Sequence, residues 1–293
     1  MPSFPFLDKL NIGKPLVLDG ATGTNLQARG LPVGSPSDLW VLENPAEILR
    51  LHRDFLQAGS DIILTDTFGS SKIHLAQAGL AARFEETNRA AVALARQAAS
   101  EFGALVGGSL GPLGEMLAPS GTLSEESAEA EYAGQARLLA EGGVDLLVIE
   151  TQFDLTEAAA ALRGVRSVTG LPVVVSFSYD RGTRSMMGVK PTQMAQLLSD
   201  QGVVALGINC GRSLEDNLNA LKELRAATTL PIWFKPNAGM PIALPDGTTA
   251  FTVTPEMMGA NVSSWLEAGA GLVGGCCGTS PAHLAAIASA AHA

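Results

Sequence analysis

The chain carries three cysteines, and two of them are adjacent: Cys210 stands in GINCG, and Cys276 and Cys277 stand together in GGCCGT. An odd number with a vicinal pair does not make the disulfide framework of a small secreted domain. Two chemistries remain. Free cysteine is a common buried small residue that packs as a hydrophobe. Alternatively, three thiolates brought together form a tetrahedral Zn²⁺ site whose fourth position stays open, as where zinc acts on a bound ligand. Neither half has a zinc-finger spacing, so the choice depends on where the fold puts the thiols. Carboxylates form a second set, because Asp19, Asp66 and Glu150 each end a short apolar run. So placed, they suit acid–base work and equally suit a cationic amine. No serine occupies a GxSxG elbow, which disfavours a serine hydrolase. A glycosidase pair stays open, but it would leave the cysteines without a role.

The runs that carry these residues belong to a series. LVLDG (16–20), DIILTDT (61–67), ALVGGSL (104–110), LLVIET (146–151), VVVSFSY (173–179), ALGINC (205–210), IWFKPNA (232–238) and LVGGCC (272–277) are mostly near-continuously apolar. Parallel strands covered on both faces have this character. Helical segments lie between them. Pro45 suits the first turn of a helix that puts Ile48, Leu51, Phe55 and Leu56 on one face before Gly59 stops it. Asp154 with Glu157, and Ser213 with Asp216, have the spacing of capping boxes; Thr254-Pro255 and Ser280-Pro281 pair an N-cap with a first-turn proline. Gly142-Gly143, Gly202 and Gly269 close helices before the next strand.

Eight strand-then-helix units, with no dinucleotide fingerprint after the first strand, predict one domain over residues 1–293, a single (β/α)8 TIM barrel. The stretches 21–44 and 111–123 are expected to be irregular and to lie on the catalytic face. Barrel chemistry is built at the carboxyl ends of the strands. All three cysteines fall there, and that concentration favours a metal site over packed thiols. Adjacent residues on a strand face opposite ways, so Cys276 and Cys277 can share an ion only where the strand has ended, a turn that Gly278 permits. His52, His74 and His283 fall in predicted helices and His292 in the tail, so they read as structural or solvated.

Bulk properties narrow the partners. With 19 basic and 29 acidic residues the formal charge is −10, which repels phosphate backbones and anionic lipid, so no nucleic acid is expected. No basic segment leads into an apolar stretch at the amino terminus, and no run approaches the roughly 18 apolar residues of a membrane span. A cytoplasmic protein is expected.

The segments LDGATGTNLQ, TDTFGSS, GSLGPLG, VIET, GINCG, KPNAG and VGGCCGTSPAHL resemble the homocysteine S-methyltransferase family, over about residues 16–287. KPNAGMP and GTRSMMG look most like the homocysteine module of cobalamin-dependent methionine synthase. The resemblance implies that Cys210, Cys276 and Cys277 ligate Zn²⁺. It further implies that Asp19, Gly20 and the Ala21-Thr22 backbone, with Glu150, hold the amino and carboxylate groups of homocysteine. On their own chemistry, Asp19 is equally a turn-stabilising carboxylate and Glu150 equally the buried partner of a cation. Asn237 could offer an atom to the metal's fourth position when no thiol is bound, or simply shape a turn.

The implied reaction methylates a zinc-bound homocysteine thiolate to methionine. A free thiol, with a pKa of about 8.5, is mostly protonated at neutral pH, and zinc deprotonates it. The donor expected from the resemblance is a methylated corrinoid on a separate protein; the alternative is S-methylmethionine, which a single barrel can use alone. Betaine is disfavoured, because the betaine-using branch has an aromatic side chain where this chain has Gly69, and a quaternary ammonium prefers aromatic faces. A reading of another class is a non-catalytic zinc- and homocysteine-binding subunit of a corrinoid methyl-transfer system.

Overall fold

Runs such as VVVSF bury both faces at once, and a parallel sheet closed on itself and sheathed by helices satisfies them. The computed structural model of the chain, which describes residues 4–244 and 249–293, has this form. Residues 1–3 of the amino-terminal stretch lie outside the described residues. The strands are β1 Leu16–Val17, β2 Ile62–Leu64, β3 Leu105–Leu110, β4 Leu146–Gln152, β5 Val173–Phe177, β6 Ala205–Cys210, β7 Ile232–Pro236, β8 Pro241–Ala243, β9 Thr249–Phe251 and β10 Leu272–Val273. Eight pair in parallel in the order β1-β10-β7-β6-β5-β4-β3-β2. A parallel bridge from Leu18 to Ile62 closes the ring into a (β/α)8 barrel.

Side chains alternate along each strand, and this alternation positions the site. Inward-facing Leu105, Leu146, Val148, Val174, Ala205 and Trp233 pack in one buried cluster with Phe6, from the helix Pro5–Asn11. Two-residue steps from that layer toward the carboxyl ends reach Ser109, Glu150, Ser176, Asn209 and Lys235, all buried. The barrel interior is therefore apolar below and polar above. Outward-facing Val106, Leu147, Ile149, Val175, Ile208 and Phe234 pack against the helices.

Several expectations need correction. The strands β1, β2 and β10 stop short of the expected ends, so Asp19, Asp66, Cys276 and Cys277 lie in the turns just beyond. Stretch 21–44 is not wholly irregular; it holds the short helices Thr22–Ala28 and Asp38–Glu43. Stretch 111–123 contains only the bridge Leu117↔Leu123. Asp154 caps its helix through Thr156 N–H, but Glu157 does not complete a box. It turns inward and accepts from Leu113 N–H at 2.7 Å and the Tyr132 hydroxyl at 2.9 Å, which anchors the segment after β3. The β8–β9 hairpin was not foreseen, because its largely exposed side chains leave no apolar run to announce it.

Ser213 likewise caps its helix through Asp216 N–H without a returning bond from the Asp216 side chain, so only half of that box forms. Helix Pro45–Gln57 buries Ile48, Leu51, Phe55 and Leu56 as expected, and Thr254 accepts from Met257 N–H. His283 is structural, held between Ser280 and the Val253 carbonyl. Among the described residues no helix is long and apolar enough to cross a membrane.

Candidate metal centre and substrate pocket

Strand β6 ends on Cys210, whose backbone turns left-handed at φ 60°. Asn217 Nδ2 and Asn237 N–H both hold the Cys210 carbonyl, at 2.7 and 3.2 Å, and so fix that turn. After β10 the chain bends at once. Cys276 N–H donates to the Pro236 carbonyl at 2.9 Å, the Cys277 carbonyl accepts from Ala238 N–H at 2.9 Å, and Gly278 takes a φ of 79°. Both cysteines thereby leave the strand before they must share a face, which removes the objection raised by strand alternation. The sulfurs of Cys210 and Cys276 are 3.1 Å apart, and the three Sγ atoms lie within 4.8 Å of one another. Hydrogen bonding to the Cys210 and Cys276 sulfurs holds the Cys277 thiol well below an ordinary thiol, while bonding to the Cys276 and Cys277 sulfurs pushes Cys210 well above one.

The three sulfurs open onto a cavity of about 460 Å³ that is also lined by Asp19, the Gly20–Thr22 backbone, Asp66, Phe68, Glu150 and Lys235. Glu150 is held by the Ser109 hydroxyl at 2.6 Å. Burial pushes its carboxyl up to about 7, against the opposing pull of Lys235. Asp19 accepts from Leu64 N–H at 2.7 Å on one oxygen and pairs with Lys235 Nζ at 2.5 Å on the other. Burial lowers the Lys235 ammonium, yet Asp19 and Glu150 together hold it above its ordinary value. Gly20 has no room for a side chain, since a Cβ there would meet the Phe55 ring at 2.7 Å. Ala21 N–H is engaged by the carbonyl and hydroxyl of Thr279, each at 3.2 Å. Asp66, bonded by the Ser37 hydroxyl at 2.7 Å, is pushed up to about 8 by burial and by Asp38.

The cysteines, Asp19, Gly20, Ala21, Thr22 and Glu150 are thus gathered at one cavity. Asn237 stands behind Cys210, donating through Nδ2 to the Gly211 carbonyl at 2.8 Å. Its Oδ1 is buried without a partner among the described residues. Two residues of the site escaped the sequence reading. Lys235 had a visible signal: a cation in the middle of the apolar run IWFKP is buried, and a buried ammonium requires a carboxylate. Asn209 had none beyond its place before Cys210.

Comparison with known proteins adds to this geometry. The sequence profile of the family described as homocysteine S-methyltransferase matches residues 16–291. A methionine synthase from Mycobacterium tuberculosis is 30% identical over 94% of this chain, which spans 24% of that relative's length. Among solved structures, the metallated form of the homocysteine methyltransferase MmuM from Escherichia coli superposes with a TM-score of 0.83 at 29% identity, covering 97% of this chain and 99% of that one. Its apo form superposes with a TM-score of 0.73 at 28% identity, over 94% of this chain and 96% of that one. With a match running from β1 into the last helix, and the three cysteines brought to one point, the chain belongs to the homocysteine S-methyltransferase family.

Proposed function

We propose that this barrel binds Zn²⁺ through Cys210, Cys276 and Cys277 and methylates homocysteine to methionine, taking the methyl group from a small sulfonium such as S-methylmethionine. The observation that carries the reading is the cluster of three sulfurs at the wall of a cavity that also holds a buried carboxylate for an ammonium. The donor set fits zinc. A tetrahedral ion at ~2.3 Å from each sulfur needs them about 3.8 Å apart, so Cys210 and Cys276, now 3.1 Å apart, would separate slightly to hold it, while all three already lie within 4.8 Å of one another. Asn237 neighbours Cys210 through its backbone N–H, and its Oδ1, orphaned among the described residues, is the atom proposed for the fourth position before a thiol arrives. Similarity to the metallated form of a homocysteine methyltransferase supports the same assignment.

Zn²⁺, when bound, supplies a Lewis acid that keeps the substrate thiol deprotonated at neutral pH. The protein does the rest. Glu150, fixed by Ser109, holds the ammonium of homocysteine, while the backbone at Gly20–Thr22 faces its carboxylate. Asp19, locked by Lys235 and Leu64 N–H, keeps that wall rigid. The homocysteine sulfur then attacks the methyl carbon in line. A new S–C bond forms as the methyl–sulfonium bond breaks, and its electron pair stays on the departing sulfur, which leaves as a neutral thioether. The thiol proton has already gone to solvent, so no side-chain base is required.

Likeness over nearly its full length to a homocysteine methyltransferase that is itself no longer than one barrel favours a small donor. A methylated corrinoid on a separate protein is the second reading, supported by the likeness to methionine synthase. Assay with S-methylmethionine and with methylcobalamin separates the two. The reading as a whole is tested by zinc content and zinc-edge X-ray absorption with and without homocysteine. One zinc per chain with three sulfurs, rising to four with homocysteine, is the expected result; a sulfur count indifferent to homocysteine would sink it. Glu150→Ala is expected to raise the KM for homocysteine about tenfold or more, the scale of a lost charge-assisted hydrogen bond. It should change zinc affinity less, as a chelator competition would show.

A further inference from the structure

Asn209 is fully buried at the top of β6, and each polar atom of its carboxamide is used. Oδ1 accepts from Thr151 N–H at 2.9 Å and from the Ser176 hydroxyl at 2.7 Å. Nδ2 donates to Thr151 Oγ1 at 2.7 Å, and it lies 3.5 Å from the Cys210 sulfur and 3.9 Å from the Cys276 sulfur. The orientation is forced. Thr151 N–H can only donate, so the oxygen must face it and the NH₂ group must face the sulfurs.

What Asn209 holds is unusual. Thr151 has a φ of 59° and Cys210 a φ of 60°, the two residues other than glycine with positive φ among those described. A β-branched residue in left-handed backbone is an outlier that surrounding bonds must hold. Thr151 follows Glu150 on the substrate side, and Cys210 is a thiol of the cluster. One carboxamide therefore spans both.

We propose that Asn209 is a positioning residue that ties the substrate wall to the metal centre, locking the Thr151 turn with its oxygen while its NH₂ donates to the Cys210 and Cys276 thiolates. Three thiolates around one divalent ion carry a net negative charge. N–H···S donation tempers it without adding a ligand, and groups one step outside a metal's ligands set affinity in this way. The inference rests on the metal site proposed above.

The test is Asn209→Asp, which keeps the shape and the acceptor toward Thr151 and Ser176 but turns an oxygen toward the sulfurs. Zinc affinity, read by competition with a chromophoric chelator and without turnover, is expected to fall tenfold or more. The sulfur-to-cobalt charge-transfer bands of the Co²⁺-substituted protein should shift as well. Ser176→Ala, which removes only the other anchor of the oxygen, should leave affinity within about threefold by the same scale. The pair is repeated in a Thr151→Gly background, where the turn no longer needs the clamp, in case the single variant does not fold. An Asn209→Asp protein with wild-type affinity and unshifted bands overturns the inference alone. A wild type that takes up neither zinc nor cobalt overturns it together with the metal site.

Discussion

Replacing any one of Cys210, Cys276 or Cys277 by alanine is expected to end tight zinc binding and thiol methylation while the barrel stays folded. Structural zinc sites with four ligands bind with about 10–16 kcal/mol, so one ligand accounts for roughly 3–4 kcal/mol, or ~10²–10³ in affinity. Methylation should fall further than affinity, because an ion with an incomplete sulfur set no longer holds the substrate thiol in place. The fold should tolerate the change, since the three cysteines are half-buried at or just beyond the strand ends, outside the apolar layers. Removing one such sulfur costs about 1 kcal/mol of burial. Alanine at 210 meets the same left-handed backbone that cysteine already occupies, so no new strain is added. Metal analysis, circular dichroism and activity on the same preparations check all three statements. A variant that keeps full activity removes its cysteine from the ligand set.

Lys235→Met should have the largest effect on stability. The ammonium and the Asp19 carboxylate are each about 97% removed from solvent and touch at 2.5 Å. Deleting one member of such a pair leaves the other as an uncompensated buried charge, which costs about 3–5 kcal/mol. For a barrel of this size that amounts to a melting point lower by about 5–8 °C. Asp19→Asn in the same protein should recover most of the loss. The amide oxygen still accepts from Leu64 N–H, while the stranded charge is gone. Urea denaturation of the wild type, both single variants and the double variant closes the cycle. A Lys235→Met protein within 1 kcal/mol of wild type would show that Asp19 does not depend on its partner.

The barrel was readable because its evidence is local: each apolar run is a strand, and strand order in a (β/α)8 ring follows chain order. The cysteines were readable for the same reason, since the ends of two runs place them on one rim. Long-range pairings were not. Lys235 reaches Asp19 across 216 positions, and Asn209 reaches Thr151 across 58. No spacing in the sequence encodes either contact, so the sequence offers Asp19 as an ammonium-binding or turn-stabilising carboxylate but not its ion pair with Lys235. Glu157 failed differently. Its position three after Asp154 matched a cap, but burial against Tyr132 and the segment after β3 outweighed that local preference.

The ring closes through partners almost a whole chain apart, Leu16 beside Leu272 and Val17 beside Val273. Cys276 and Cys277 follow that closing strand directly, so the three sulfurs come together only once the first and last strands have paired. A lone thiolate is a poor trap for a metal. The proposed metal site is therefore complete only in a closed barrel, and a bound ion would in turn hold the closing strand in place.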